Sequence, residues 1–175
     1  RSSYMLSKIY GEAMCFHSGL PVTVFRPHNF YGPRMGLSHV IPELLKKIFE
    51  SKNGQIDIYS YNHKRTFFYI KDAVDLIFLL SNNKNTIGQV YNVGSQDEEI
   101  SMGNLAKLIL SICKRKAKIN ILPATIGSPE RRCPDITKIS KVVSYKPRYP
   151  LKKGLKMTFD WYKKNIIHGN ELSSI

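Results

Sequence analysis

Val22-Thr-Val-Phe25, followed at once by Arg26-Pro-His-Asn-Phe-Tyr-Gly-Pro-Arg34, is the stretch on which the fold turns. Apolar and β-branched residues without strict alternation suit a strand buried on both faces of a parallel sheet. The segment after it sets two prolines and a glycine among His28, Asn29, Arg26 and Arg34. A polar loop leaving the carboxyl end of a strand is where an open α/β sheet places its ligand contacts.

Working outward, the spacing predicts a helix over 3–18, in which Tyr4, Ile9, Ala13 and Phe16 can share a broad apolar stripe and Gly19 with Pro21 closes the segment. Downstream, the pattern predicts a helix over 40–52, ended by Asn53-Gly54, and a half-exposed strand over 55–59. A strand is expected over 65–70, a helix over 73–80 and a strand over 89–93. Ser101 can cap a helix to 113; a strand over 119–122 follows, then a short helix from Asp135 or Thr137 to 143. A last helix is read over 154–165, with a frayed polar tail. Alternating strands and helices define an α/β class.

The 175 residues correspond to one domain or one and a fraction, and 42% hydrophobic with 23% charged residues is an ordinary globular balance. Lys plus Arg number 27 against 13 Asp plus Glu, a net charge of +14 that fits an anionic partner: nucleic acid, an acidic surface or a phosphorylated small molecule. Cys15, Cys113 and Cys133 have neither a C-x-x-C spacing nor an even count, so a metal site is not expected and a reducing, cytoplasmic setting is. The apolar run at 73–80 is far shorter than the ~20 residues that span a bilayer, so no membrane association is expected.

Tyr4 and Lys8 are four apart, hence on one face of the first predicted helix. An ammonium beside a phenol favours the phenolate, which makes a tyrosine a usable general base for an alcohol. The same spacing also describes an ordinary solvated helix face. Its surroundings, Ser3-Tyr4-Met-Leu-Ser7-Lys8-Ile-Tyr-Gly11-Glu12, resemble the active-site helix of the extended short-chain dehydrogenases/reductases, the nucleotide-sugar epimerase/dehydratase family. The resemblance continues through the 24–34 segment, Arg65-Thr-Phe-Phe-Tyr-Ile-Lys-Asp72, Tyr91-Asn-Val-Gly94 and Arg131-Arg-Cys-Pro-Asp135 in family order.

That resemblance implies NAD as cofactor and a nucleoside-diphosphate sugar as substrate. Tyr4 would deprotonate a sugar hydroxyl and Lys8 hold the nicotinamide ribose, with Tyr4, Lys8, Pro27 and His28 forming the cofactor contacts. Asn29 would touch the diphosphate, Arg65 and Arg132 neutralise phosphate or hold ribose, and Tyr59 line the nucleobase pocket. Each residue keeps a plainer reading: Asn29 as a loop cap, Arg65 as a surface residue, Tyr59 as packing, His28 and His39 as structural, and Arg131 as an alternative to Arg132. The implied fold is the C-terminal part of a Rossmann-like parallel sheet with a smaller α/β substrate-binding domain. Residues 1–33 would close the NAD-binding domain and 34–175 be mainly the substrate domain, with 65–95 returning to the Rossmann-like sheet.

No G-x-x-G-x-x-G turn occurs in the sequence, so the chain reads as the C-terminal half of an enzyme, inactive alone and a homodimer when complete. Epimerisation is the expected reaction. A 4,6-dehydratase and a UDP-glucuronate decarboxylase stay open; His39, where the decarboxylases carry an arginine, weighs against the last. A non-catalytic basic binding module is the alternative from another class, with Lys114-Arg-Lys116 and Lys152-Lys153 in its favour. The scatter of basic residues and the lack of a nucleic-acid motif weigh against it, so no nucleic-acid partner is expected.

Overall fold

In the computed structural model of the protein, residues 2–167 are described. Helix α1 (Ser2–His17) leads to β1 (Val24–Pro27), β2 (Phe30–Tyr31), α2 (Val40–Glu50) and β3 (Gln55–Tyr59). Next come β4 (Lys64–Arg65), β5 (Phe68–Tyr69), α3 (Ile70–Ser81), β6 (Val90–Val93) and β7 (Ile100–Ser101). The chain continues through α4 (Met102–Cys113), β8 (Lys118–Leu122), β9 (Arg131–Arg132), α5 (Thr137–Ser140) and α6 (Leu151–Tyr162), which runs on as a π-helical turn to Ile167. The polar tail beyond that point lies outside the described residues.

The strands pair mostly in parallel: β1 with β6, β2 with β5, β3 with β8, and β4 with β9, while β4 meets β7 antiparallel. Strand β1 is therefore parallel, as its unalternating composition predicts, although Arg26 and Pro27 at its end are exposed. Two apolar clusters hold the structure. The larger joins α2, α4 and α6 over β3 around Leu105, Ile109 and Leu155; the smaller joins α3 to β5 and β6 around Phe68, Leu76 and Val93. Asp72, fully buried, links α3 to the 145–149 segment: it accepts from Tyr145 Oη at 2.7 Å, Arg148 N at 2.9 Å and Tyr149 N at 3.1 Å.

Four expectations change. The strand over 65–70 is two separate pieces, because Lys64–Arg65 pairs with β7 and β9 whereas Phe68–Tyr69 pairs with β2. Helix α3 begins at Ile70 rather than 73, directly from the extended backbone of Tyr69. Helix α6 begins at Leu151, and Gly154 lies inside it, where a side chain would collide with the Tyr31 hydroxyl. The helix expected to reach 143 spans only Thr137–Ser140. In α1 the helix is as predicted but its apolar stripe buries nothing: Tyr4, Ile9 and Phe16 are exposed. A bidentate ion pair, Arg26 Nε and Nη2 donating to the two Glu12 oxygens at 2.7 and 2.6 Å, ties this helix to β1.

Candidate substrate and cofactor site

Strands β4 and β9 set Arg65 directly opposite Arg132. Two guanidiniums on neighbouring strands repel, and burial together with Arg132 holds the proton affinity of Arg65 below the usual guanidinium range. Among the described residues neither has a carboxylate partner, whereas the adjacent Arg131 is paired through Nε to Glu99 at 2.7 Å. Strand alternation sends the neighbouring side chains to opposite faces. Arg131 thus has an acidic partner in Glu99 that Arg132 lacks among the described residues, which separates two residues that sequence spacing alone leaves equivalent.

Arg65 is oriented rather than loose. Its Nη1 donates to Lys64 O at 2.7 Å and Glu130 O at 3.3 Å, and its Nη2 to Pro129 O at 2.7 Å and Ser128 Oγ at 3.0 Å, leaving Nε uncommitted. Ser128 in turn lines a cavity of about 270 Å³ walled also by Tyr59, Ser60 and Thr125. Tyr59, at the carboxyl end of β3, is 51% exposed, and its neighbour Ser60 has φ 53° and accepts at Oγ from Thr125 N at 3.0 Å. Ser128, which joins the cavity to Arg65, and Thr125 were not singled out in the sequence; the signal available was the turn-forming run Gly127-Ser-Pro-Glu130.

The loop after β1 approaches the same arginines. Asn29, with φ 47°, donates from Nδ2 to Thr66 O at 2.9 Å, and Phe68 N donates back to Asn29 O at 3.1 Å. Its amide therefore fixes the link between β4 and β5. Pro27 stands in register with Val93, and His28 N donates to Val93 O at 2.9 Å. His28 is pulled below its ordinary value by burial first and by the Arg132 charge second. Its Cβ would stand 3.0 Å from a side chain at Gly94, so this close approach requires glycine.

Tyr4 and Lys8 share one face of α1, the ammonium 5.2 Å from the ring centroid, with the Tyr4 ring 66% exposed. Neither lines the cavity. The structure therefore brings Arg65, Arg132 and His28 together and joins them through Ser128 to Tyr59, and it leaves Tyr4 and Lys8 on an open helix. Tyr31 is buried and donates to Leu151 O at 3.3 Å, and burial raises its phenol well above the ordinary range.

Residues 1–94 match the NAD dependent epimerase/dehydratase family. A UDP-N-acetyl-alpha-D-glucosaminuronate decarboxylase of Bacillus cytotoxicus is 29% identical over 178 residues, covering 93% of this chain and 54% of that protein. A dTDP-4-dehydro-6-deoxy-D-allose reductase of Streptomyces bikiniensis is 31% identical over 173 residues, covering 93% and 51%. The UDP-glucuronic acid 4-epimerase of Bacillus cereus, solved in complex with UDP-glucuronic acid and NAD, superposes with a TM-score of 0.81 at 29% identity, over 92% of this chain and 52% of that one. The chain spans about half the length of the curated relatives it matches. With its parallel strand pairs, the loop after β1 and the match over more than half its length, the chain belongs to the NAD dependent epimerase/dehydratase family.

Proposed function

We propose that this chain supplies the substrate side and the catalytic helix of an NAD-dependent enzyme that modifies a nucleoside-diphosphate sugar, with epimerisation as the reaction. The observation that carries the reading is the Arg65–Arg132 pair, set in register without a carboxylate partner among the described residues, with Arg65 bonded to Ser128 on the wall of a cavity edged by an exposed tyrosine. Planar guanidiniums give charge-assisted, bidentate bonds to phosphate oxygens, and an aromatic ring gives a base a face to stack on. Arg132 takes the diphosphate directly. Arg65 adds Nε and holds the Ser128 turn in place, while Asn29 fixes the loop that brings His28 near. In this arrangement residues 1–33 and 65–95 form the cofactor side and the remainder mainly the substrate side.

The residues present fit one end of NAD. Lys8 offers ammonium donors to ribose hydroxyls, and Pro27-His28 stands at the carboxyl end of a parallel strand. The sequence has no glycine-rich turn to receive the pyrophosphate, so we propose that a segment carrying that turn completes the enzyme, which then works as a homodimer. When bound, NAD supplies the hydride chemistry. Tyr4 removes the sugar hydroxyl proton, with the Lys8 ammonium on the same helix face beside its ring. Decarboxylation is the second reading, supported by the decarboxylase among the relatives.

Calorimetric titration of the chain with UDP, dTDP, GDP and NAD tests the proposal. At least one diphosphate is expected to bind more tightly than NAD, since the phosphate-facing arginines are present and the pyrophosphate turn is not. Tighter binding of NAD than of every diphosphate would overturn it.

A further inference from the structure

The cavity at Tyr59 holds an ion pair that neither the phosphate nor the proton transfer uses. Glu43 and Lys47, one turn apart on α2, both line it. Glu43 Oε1 lies 2.6 Å from Lys47 Nζ. The ammonium also reaches to 3.4 Å from the Asp57 carbonyl oxygen and stands 5.7 Å from the Tyr59 ring centroid. The other such pair on α2, Lys46 with Glu50, is 4.0 Å apart and lies away from this cavity. The Lys47 ammonium is therefore held at one wall of the cavity from three directions, by Glu43, Asp57 and Tyr59, the last a residue that is half exposed. A flat ligand stacked on that ring brings its polar edge to the pair.

We propose that Glu43 and Lys47 read the nucleobase of the bound nucleotide and select one that presents a keto oxygen beside a ring N–H. The inference rests on the nucleotide-sugar reading of the same site. An ammonium only donates and a carboxylate only accepts. Uracil, thymine and guanine show an acceptor oxygen next to a donor N–H, so Lys47 meets the oxygen and Glu43 the N–H. Cytosine and adenine show the reverse edge, an amino donor next to an acceptor nitrogen. Against them the ammonium faces a donor or the carboxylate faces a lone pair, and a site whose polar groups are left unmatched rejects the ligand more strongly than a matched contact attracts it.

Titration calorimetry of the 175-residue chain with UDP, GDP, CDP and ADP separates the outcomes. UDP and GDP are expected to bind at least about tenfold more tightly than CDP and ADP, a difference of about 1.4 kcal/mol. The double exchange E43K/K47E keeps an ion pair one turn apart on a partly exposed helix face, so the fold and its circular dichroism are retained. Its preference is expected to fall to within about twofold, while E43D keeps the preference. Equal affinity of the original chain for all four nucleotides, or a preference that survives the exchange, would overturn the assignment while leaving the nucleotide site intact. Binding of none of the four would remove the nucleotide reading itself, and the assignment with it.

Discussion

Helix α4 buries Leu105 and Ala106 completely, whereas helix α1, with 16 residues against 12, buries no side chain at all. The sequence predicts a helix in both places, from an apolar stripe in α1 and from the Ser101 cap in α4. The stripe of α4 is covered by α2, α6 and β3 within the larger cluster. That of α1 carries Tyr4, Met5, Leu6 and Ile9 exposed, and the helix is tied to β1 by the Glu12–Arg26 pair. The groups proposed to face the substrate thus stand on paired strands and the turns between them, and the proposed proton-transfer pair stands on a helix that buries no side chain. A hydrophobic stripe says that a face wants cover; it does not say which part of the protein provides it.

The largest test of this contrast is deletion of matched leucines. Leu105→Ala in α4 is expected to cost about 3 kcal/mol in urea unfolding, through lost transfer energy and the cavity left behind. Leu6→Ala in α1, already exposed, should stay within about 0.5 kcal/mol. Similar losses for both would mean that α1 is packed after all.

Glycines sharpen the same comparison with opposite signs. A Cβ at Gly154 in α6 would strike the Tyr31 hydroxyl and come within 2.9 Å of Tyr69 Cδ2, so Gly154→Ala should destabilise by roughly 1–3 kcal/mol. At Gly11 in α1 nothing lies within 4 Å of such a Cβ. Gly11→Ala should therefore stabilise by about 0.5 kcal/mol by restricting the unfolded chain. Thermal unfolding of both variants checks the signs, and a loss at Gly11 would break the account.

The smallest effect concerns the tether. The Arg26 guanidinium holds the Glu12 carboxyl below its ordinary value of 4.5, chiefly by hydrogen bonding. A carboxyl depressed in the folded state adds stability above that ordinary value and loses it as the pH falls below it. Because the pair is exposed, its contribution is roughly 0.2–1 kcal/mol and weakens with salt. Arg26→Gln should remove that part of the acid loss of stability, measured between pH 6 and about pH 3, and a variant with an unchanged acid profile would show that the tether carries no stability.

What the sequence made legible follows from range. The half-exposed strand β3 and helices α2 and α4 are set by local signals and form close to the bounds read, while the strand expected over 22–25 forms two residues later, as Val24–Pro27, and none of its residues is fully buried. The split between β4 and β5 is decided elsewhere, by pairing with β2, β7 and β9 and by the Asn29 amide on Thr66 O. Gly154 looks like a helix boundary because it is glycine, yet it is interior because rings from Tyr31 and Tyr69 press against that face. In the proposed site, motif order alone suggests Tyr59, Arg65, Arg132 and Asn29. It does not suggest Ser128, whose contact with Arg65 spans 63 positions, and the distinction between Arg131 and Arg132 needed the Glu99 carboxylate.

The central claim, that Arg132 and not its neighbour meets the diphosphate, is tested most directly by comparing Arg132→Ala with Arg131→Ala in calorimetric titrations with UDP at low and moderate salt. Loss of a charge-assisted phosphate bond is worth roughly 1.5–3 kcal/mol, so Arg132→Ala should weaken binding by about tenfold or more. Arg131→Ala, at a residue already paired with Glu99 at 2.7 Å, should remain within about twofold. Equal losses, or a larger loss at Arg131, would contradict the account.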